Sequence, residues 1–342
     1  MAPRRTQGEG VSGQARYETI GVAGAGAFGT ALALAAARAG CRVLLWARDE
    51  ETVASLRDRR EAPRLPGARL PDAIEPVSDI AALGSVEALI LAVPTQALRS
   101  ASTLLASALP QGLPVISAAK GIEQSSGRFT TQIIAEALPQ AVPAVLSGPS
   151  FAADIACGLP TALTLACADA GLAKGLAEAL NSSALRIYHS NDPRGVEIGG
   201  AAKNVLAIAA GIAIGLGLGE SARAALVARG FSELRRFGEA HGAQAETLMG
   251  LSGLGDVVLS CATAQSRNFA YGQALGQGRS PTEAAGGRLA EGAFTASVLV
   301  QMARAQEIDM PIAEAVASVI AGTVGVREAV ADLLARPVRA EN

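Results

Sequence analysis

The chain has 342 residues, enough for two domains with an ample core. Half of them are apolar, with mean hydropathy +0.31, and alanine and glycine carry much of that. A net charge of −2 and a pI near 5.9 exclude the broad basic field that nucleic-acid binding requires.

The opening "MAPRRTQGEGVSGQAR" is polar and lacks the apolar core of a secretory signal, so residues 1–16 are expected to be a disordered extension. "ETIGVAGAGAFGTALALAAARAG" then reads as a short strand, a glycine turn and an alanine-rich helix, with "CRVLLWARD" as the next strand. Further strand-like runs follow at "EALILAVP", "LPVISAA", "VPAVLSG", "TALTLAC" and "LRIYHS", with helical patterns between most of them. This alternation predicts an α/β fold with a doubly wound, largely parallel Rossmann-type sheet, its last strands open to antiparallel pairing. After "SNDPRG" strand signals stop, and apolar residues recur at three- and four-residue spacing. The expected organisation is therefore a dinucleotide-binding domain over 17–190, an all-helical C-terminal domain over 191–336 and a short tail over 337–342. A ligand site is expected in the cleft between the two domains. The longest apolar window, from Val205 to Gly219, has 15 residues and contains four glycines. A membrane span needs about 20 apolar residues, so a buried helix is expected and no integral membrane segment.

Gly24-Ala25-Gly26-Ala27-Phe28-Gly29 is a GxGxxG that follows a strand and opens a helix. In such a turn the first glycine makes the bend and the second lets backbone approach a pyrophosphate. The third allows close helix–strand packing, and the helix N-terminus attracts the anion. Cofactor choice should be read at the end of the second strand. Asp49 there suits a ribose diol and NAD, whereas Arg48 beside it suits a 2′-phosphate; the pair leaves NAD and NADP open, with a slight lean to NADP. Pro94 and Thr95 fall just past a strand end, where Thr95 can face the crevice or cap a helix. Lys120 follows another strand, and can meet a phosphate or carboxylate or stand in solvent. "SGPSFAADIA" puts Gly148, Ser150 and Ala152 in a loop entering a helix, as anion site or ordinary cap.

The most apolar run, "GGAAKNVLAIAAGIAIGLG", opens with a lysine, in a chain with three lysines (Lys120, Lys174, Lys203) among 29 basic residues. Arginine does not give up its proton near neutral pH and a buried lysine can, so Lys203 is a candidate for proton chemistry; a snorkelling lysine at a helix end is the plain alternative. Asp256 enters a second apolar helix as an ordinary helix-start charge or a partner for that lysine. Ser266, Arg267 and Asn268 cluster a hydroxyl, a guanidinium fork and an amide, a set that suits a phosphate monoester. Glu291 starts a helix, as a surface residue or a cofactor contact. The four cysteines, Cys41, Cys157, Cys167 and Cys261, show no CxxC spacing and lie in apolar segments. Buried reduced thiols in a cytoplasmic protein are expected, with no disulfide and no metal site.

In this order, GAGAFGTALA, LAVPTQAL, AAKGIE, LSGPSFA, GGAAKNVLAIAAG, GLGDVVLSC, QSRN and AEG resemble the bacterial-type NAD(P)-dependent sn-glycerol-3-phosphate dehydrogenases over about residues 18–335. The resemblance implies hydride transfer between NAD(P)H and dihydroxyacetone phosphate, giving the sn-glycerol 3-phosphate backbone of phospholipids. It implies Lys203 as acid/base, with Asp256 beside it and Asn204 helping to orient it. Lys120, Gly148, Ser150, Ser266, Arg267 and Asn268 are the implied substrate contacts. Gly24, Gly26, Ala27, Phe28, Gly29, Arg48, Pro94, Lys120, Ala152, Arg267, Leu289 and Glu291 are the implied cofactor contacts. Ser260 stands where threonine is common, and Ala27 where serine is frequent. His189 and His241, the two histidines, lie outside every motif, which argues against a 2-hydroxy-acid dehydrogenase with a histidine acid. Another two-domain β-hydroxyacid-type reductase and a non-catalytic dinucleotide sensor are the rival readings. A homodimer through the helical half fits its apolar composition, as does a thick monomeric core.

Overall fold

The computed structural model describes residues 17–287 and 290–337. Its N-terminal part alternates strands and helices: β1 (Thr19–Ala23), α1 (Ala27–Arg38), β2 (Arg42–Trp46), α2 (Glu50–Arg59), β3 (Ile74–Val77), β4 (Ala88–Leu91), α3 (Thr95–Leu105) and β5 (Pro114–Ser117). Then come α4 (Thr130–Ala137), β6 (Val142–Ser147), α5 (Ala152–Ala156), β7 (Thr161–Cys167), α6 (Ala170–Leu180) and β8 (Leu185–Ser190). The eight strands form one sheet in the order β3-β2-β1-β4-β5-β6-β7-β8. Neighbours are parallel except β6 and β7, so the antiparallel step falls in the last strands. β3 carries no expected strand signal: "IEPV" is short and contains Pro76, which an edge position tolerates because no neighbour needs its missing N–H.

β4 and β5 are buried along their whole length, as parallel strands covered on both faces must be. The strand order turns back between β1 and β4. A doubly wound sheet opens its ligand crevice at the carboxyl ends of the strands flanking such a switch point.

The remainder is helical: α7 (Pro193–Gly215), α8 (Gly219–Ala240), α9 (Ala245–Met249), α10 (Asp256–Ser260), α11 (Arg267–Gly276), α12 (Pro281–Ala285), α13 (Glu291–Ala305), α14 (Pro311–Ala321) and α15 (Val326–Leu334). A single π-helical turn, Leu251–Gly255, leads directly into α10. α7 is the axis of this part. Asp192 caps it by accepting from Gly195 N at 2.8 Å, Pro193 opens it, and it is buried from Gly195 to Ala213. Among the described residues, α7 is the one helix long and apolar enough to cross a membrane, but 89% of its most apolar window is covered by the rest of the protein. A helix apolar on every side belongs in a core.

Glycines let α11 lie backbone-to-backbone on α7. A Cβ on Gly211 would stand 2.1 Å from Phe269 O, and one on Gly272 would stand 2.0 Å from Ile208 O. Three cysteines are buried as expected, whereas Cys157, at the C-terminal end of the short α5, is exposed. The apolar letters around Cys157 belong to a single-turn helix at the surface, which cannot bury all its sides.

Candidate active site

The GxGxxG forms the turn from β1 to α1. Gly24 has φ +119°, a region that favours glycine, and a Cβ on Gly29 would stand 1.9 Å from Gly24 O. Around Gly26 no heavy atom lies within 4 Å of a built Cβ, so the backbone there is open to a ligand. No side chain caps α1, leaving its first amides for an anion. This cradle fits a dinucleotide pyrophosphate. Ala27 begins α1 and Phe28, half-buried beside it, turns its ring toward Lys120, whose Nζ lies 5.9 Å from the ring centre.

At the end of β2, Asp49 caps α2, accepting from Glu51 N at 3.3 Å and Thr52 N at 3.0 Å. The Thr52 hydroxyl first, then the Thr52 and Glu51 N–H groups, hold its carboxyl below the usual range. Its oxygens are therefore committed to the helix start, while Arg48 is exposed next to it. Pro94 is the N-cap residue of α3, so Thr95 is not a cap. Its hydroxyl is buried with no hydrogen-bond partner, and its N–H donates to Glu291 Oε1 at 3.3 Å. Glu291 starts α13 half-buried, and burial raises its carboxyl above the ordinary range against the pull of Thr95 N–H and the nearby cations.

The densest chemistry sits where the loop after β5, the loop after β6, α7 and α10 converge. Lys203 Nζ lies 2.8 Å from Asp256 Oδ1 and 2.7 Å from Ser260 Oγ. Lys120 Nζ lies 2.6 Å from the other oxygen, Asp256 Oδ2, and donates to Gly148 O at 2.9 Å. Asp256 is fully buried. Burial alone would raise its carboxyl, but Lys120 and then Lys203 outweigh that and hold it below the usual carboxylate range. One carboxylate shared by two ammonium groups leaves the cluster with a positive excess, suited to an anionic substrate. Burial also pulls Lys120 down to about 8, with Asp256 resisting. Lys120 is therefore drawn close to the neutral range.

A chain of amides joins the cluster to its surroundings. Asn204 Nδ2 donates to Lys120 O at 3.0 Å, Asn268 Nδ2 donates to Asn204 Oδ1 at 2.8 Å, and Gly292 N donates to Asn268 Oδ1 at 3.0 Å. Asn268 thus has its carbonyl and one amide hydrogen committed to protein. Ser266 caps α11, its hydroxyl accepting from Phe269 N at 3.4 Å, and Arg267 is exposed in the first turn. Gly148, at φ +143°, closes β6 against Leu163. Ser150 Oγ donates to Gly148 O at 3.3 Å and Ala152 opens α5. Leu289 lies outside the described residues. Glu197 was not foreseen: it is buried in α7 and accepts from Thr130 Oγ1 and Thr131 N. The signal was available, since Glu197 is the one acid inside that apolar helix, as Lys203 is its one lysine.

Residues 19–173 match the family described as NAD-dependent glycerol-3-phosphate dehydrogenase N-terminus, and residues 192–331 match the C-terminus of the same family. A Rhodopseudomonas palustris protein named glycerol-3-phosphate dehydrogenase (NAD(P)+) is 55% identical over 325 residues, covering 95% of this chain and 99% of its own. The chain belongs to the NAD-dependent glycerol-3-phosphate dehydrogenase family. An Azorhizobium caulinodans protein of the same name is 57% identical over 95% of this chain and 99% of its own. The crystal structure of glycerol-3-phosphate dehydrogenase from Coxiella burnetii superposes with a TM-score of 0.88 at 37% identity, covering 94% of this chain and 99% of that one. The fold class is thus the expected one, and neither the β-hydroxyacid-type alternative nor the sensor is favoured.

Proposed function

We propose that this chain is the NAD(P)-dependent oxidoreductase that interconverts dihydroxyacetone phosphate and sn-glycerol 3-phosphate, the glycerophospholipid backbone. The observation that carries this reading is the pairing of Lys120 and Lys203 on the two oxygens of one buried carboxylate. The cofactor is NAD or NADP. The commitment of Asp49 to the α2 cap, beside an exposed Arg48, supports the lean to NADP.

Gly24, Gly26, Gly29 and the start of α1 at Ala27 and Phe28 would hold the dinucleotide, with Arg48, Pro94, Ala152 and Glu291 along its length. When bound, the nicotinamide supplies the hydride for reduction and accepts it in reverse. During reduction, negative charge grows on the substrate's carbonyl oxygen. The Lys203 ammonium stabilises that charge and gives the oxygen its proton, forming the hydroxyl. Asp256 and Ser260 fix the amine, and Asn204 fixes the Lys120 backbone beside it. Lys120, Arg267 and the amides around Gly148 and Ser150 take the phosphate end. Binding energy far from the reacting carbon then positions the carbonyl. The division near residue 191 belongs to this reading: the sheet part carries the dinucleotide and the helical part supplies Lys203 and Asp256. So do a cytoplasmic location, supported by the buried thiols, and a homodimer, supported by the exposed Met249 and Val258 of the helical part.

The test is loss of reduced-nicotinamide absorbance on adding dihydroxyacetone phosphate, with NADPH and NADH side by side and unphosphorylated keto acids as controls. Lys203→Arg keeps the charge but holds its proton. It is expected to fold, bind cofactor and lose about 10²–10⁴-fold in kcat. Near-normal turnover in that variant refutes the assignment.

A further inference from the structure

Glu197, Gly200 and Asn204 stand three and seven positions apart on α7, a spacing that puts them on one face over about 10 Å of helix. Both ends of that face bond to one stretch of chain, residues 120–131. At its start, Lys120 O accepts from Asn204 Nδ2 at 3.0 Å. At its end, Glu197 Oε1 accepts from Thr130 Oγ1 at 2.9 Å and from Thr131 N at 2.6 Å. Between them, a Cβ on Gly200 would lie 2.7 Å from Ser147 Oγ and 3.5 Å from Lys120 Cγ, so the helix backbone packs against the end of β6 and the lysine stem together. Arg194, one turn before Glu197, lies over the Phe129 ring at 4.0 Å. The opposite side of the stretch is tied to α3: Gln96 Nε2 donates to Ile122 O and Gln96 Oε1 accepts from Gln124 N, both at 2.9 Å. Residues 120–131 are therefore clamped between two helices, and Lys203 lies one residue from the Asn204 end of the stripe.

We propose that Glu197 is a positioning residue that registers the Lys120 segment against α7, and so sets the separation at which Lys120 and Lys203 meet on Asp256. Removing its carboxylate leaves a buried hydroxyl and a helix-start N–H without an acceptor, and frees the far end of the segment to slide along α7. A displacement of about 1 Å at a reacting group can cost ~10²-fold in rate. The inference rests on the reaction proposed above.

The experiment compares the full chain with Glu197→Gln, Glu197→Ala and Thr130→Val, in steady-state kinetics and in competitive acylation of Lys120 across pH, read by mass spectrometry. Glu197→Gln keeps an acceptor oxygen and is expected to stay within about threefold of the parent in kcat/KM for dihydroxyacetone phosphate. Glu197→Ala is expected to lose about 10- to 100-fold, with KM for the reduced nicotinamide moving less than about twofold because the glycine turn is on another element. Its Lys120 labelling midpoint should move by about half a pH unit or more. Thr130→Val removes one of the two bonds and should show a smaller loss in the same direction. Parent-like rates and labelling in Glu197→Ala overturn the inference, as does a Glu197→Gln variant as damaged as Glu197→Ala, or a loss shared equally by both substrates. If Glu197→Ala does not fold, unchanged rate and labelling in Thr130→Val overturn it instead. A parent chain inactive on dihydroxyacetone phosphate sinks the reaction reading. The labelling comparison still decides the role of Glu197.

Discussion

Two glycine-rich stretches, residues 24–29 and the middle of α7, look alike in composition and do opposite things. At the β1–α1 turn, Gly26 has no neighbour within 4 Å of where a Cβ would stand, and the vacant side faces the crevice. In α7, Gly211 and Gly215 are filled from outside by α11, and Gly272 and Gly276 of α11 are filled by α7 in return. The first glycine set keeps backbone available to a ligand; the second removes side chains so that two helices share a close contact. What distinguishes them is what lies opposite.

That difference can be broken by adding one methyl group to each stretch. In Gly272→Ala the new carbon would stand 2.0 Å from Ile208 O, a backbone atom that cannot step aside. Helix propensity gains about 1 kcal/mol, but the overpacking should dominate, costing about 3 kcal/mol or more. Calorimetry should then show the midpoint falling by about 4 °C or more. Gly26→Ala, at φ −75°, meets neither strain nor a neighbour. Its melting temperature should stay within about 2 °C of the parent, while affinity for the reduced nicotinamide falls about 10-fold, or 1.4 kcal/mol. Normal cofactor affinity in Gly26→Ala would show that the turn is merely a turn.

Buried charge repeats the contrast. Lys120 faces the crevice and a shared carboxylate, and burial draws it down to about 8. The group is an ammonium below that pH and a neutral amine above it. If it holds the substrate's anionic end, kcat/KM for dihydroxyacetone phosphate should fall as pH rises through about 8, approaching tenfold per unit. Lys120→Arg cannot lose its proton in that range. Its profile should lack this limb, whatever its absolute rate. A limb that persists in Lys120→Arg assigns the titration to another group.

The sheet, the glycine turn and the helical second half were legible because each rests on a local signal: an apolar run, a glycine at fixed spacing, a period near four. Lys203 stood out as the one lysine of a largely apolar helix. The partners were less legible. That Asp256 serves two lysines depends on the π-helical turn ahead of α10, and on a loop 136 residues away in sequence. The amide chain through Asn204 and Asn268 spans three helices and a loop, and composition does not say which way an amide points. Asp49 is a related case: a carboxylate at the end of the second strand suits a ribose, and its cap on the next helix shows only in the structure. Edge strand β3 was hidden by its own proline.

A buried carboxyl packed against protein, away from the crevice, should act on stability alone. Glu233 of α8 accepts from Ile312 N at 2.9 Å and Ala313 N at 3.2 Å, capping α14 from outside. Burial lifts its carboxyl to about 7 against those two N–H bonds. Because the folded value lies above the unfolded one, near 4.5, the native state binds the extra proton between them. The stability that protonation contributes is full below about 4.5 and is lost as pH rises through about 7. Glu233→Gln does not titrate and keeps an acceptor oxygen for the helix start. Relative to the parent it should gain about 1–3 kcal/mol between those limits, a few degrees in melting temperature at pH 8 that vanish toward pH 4.5. Placing the added amide hydrogens shifts the variant's stability equally at every pH, so the slope of the difference is the readout and the offset is not. A difference that stays flat across that range would mean the carboxylate reaches water and α14 is capped by something else.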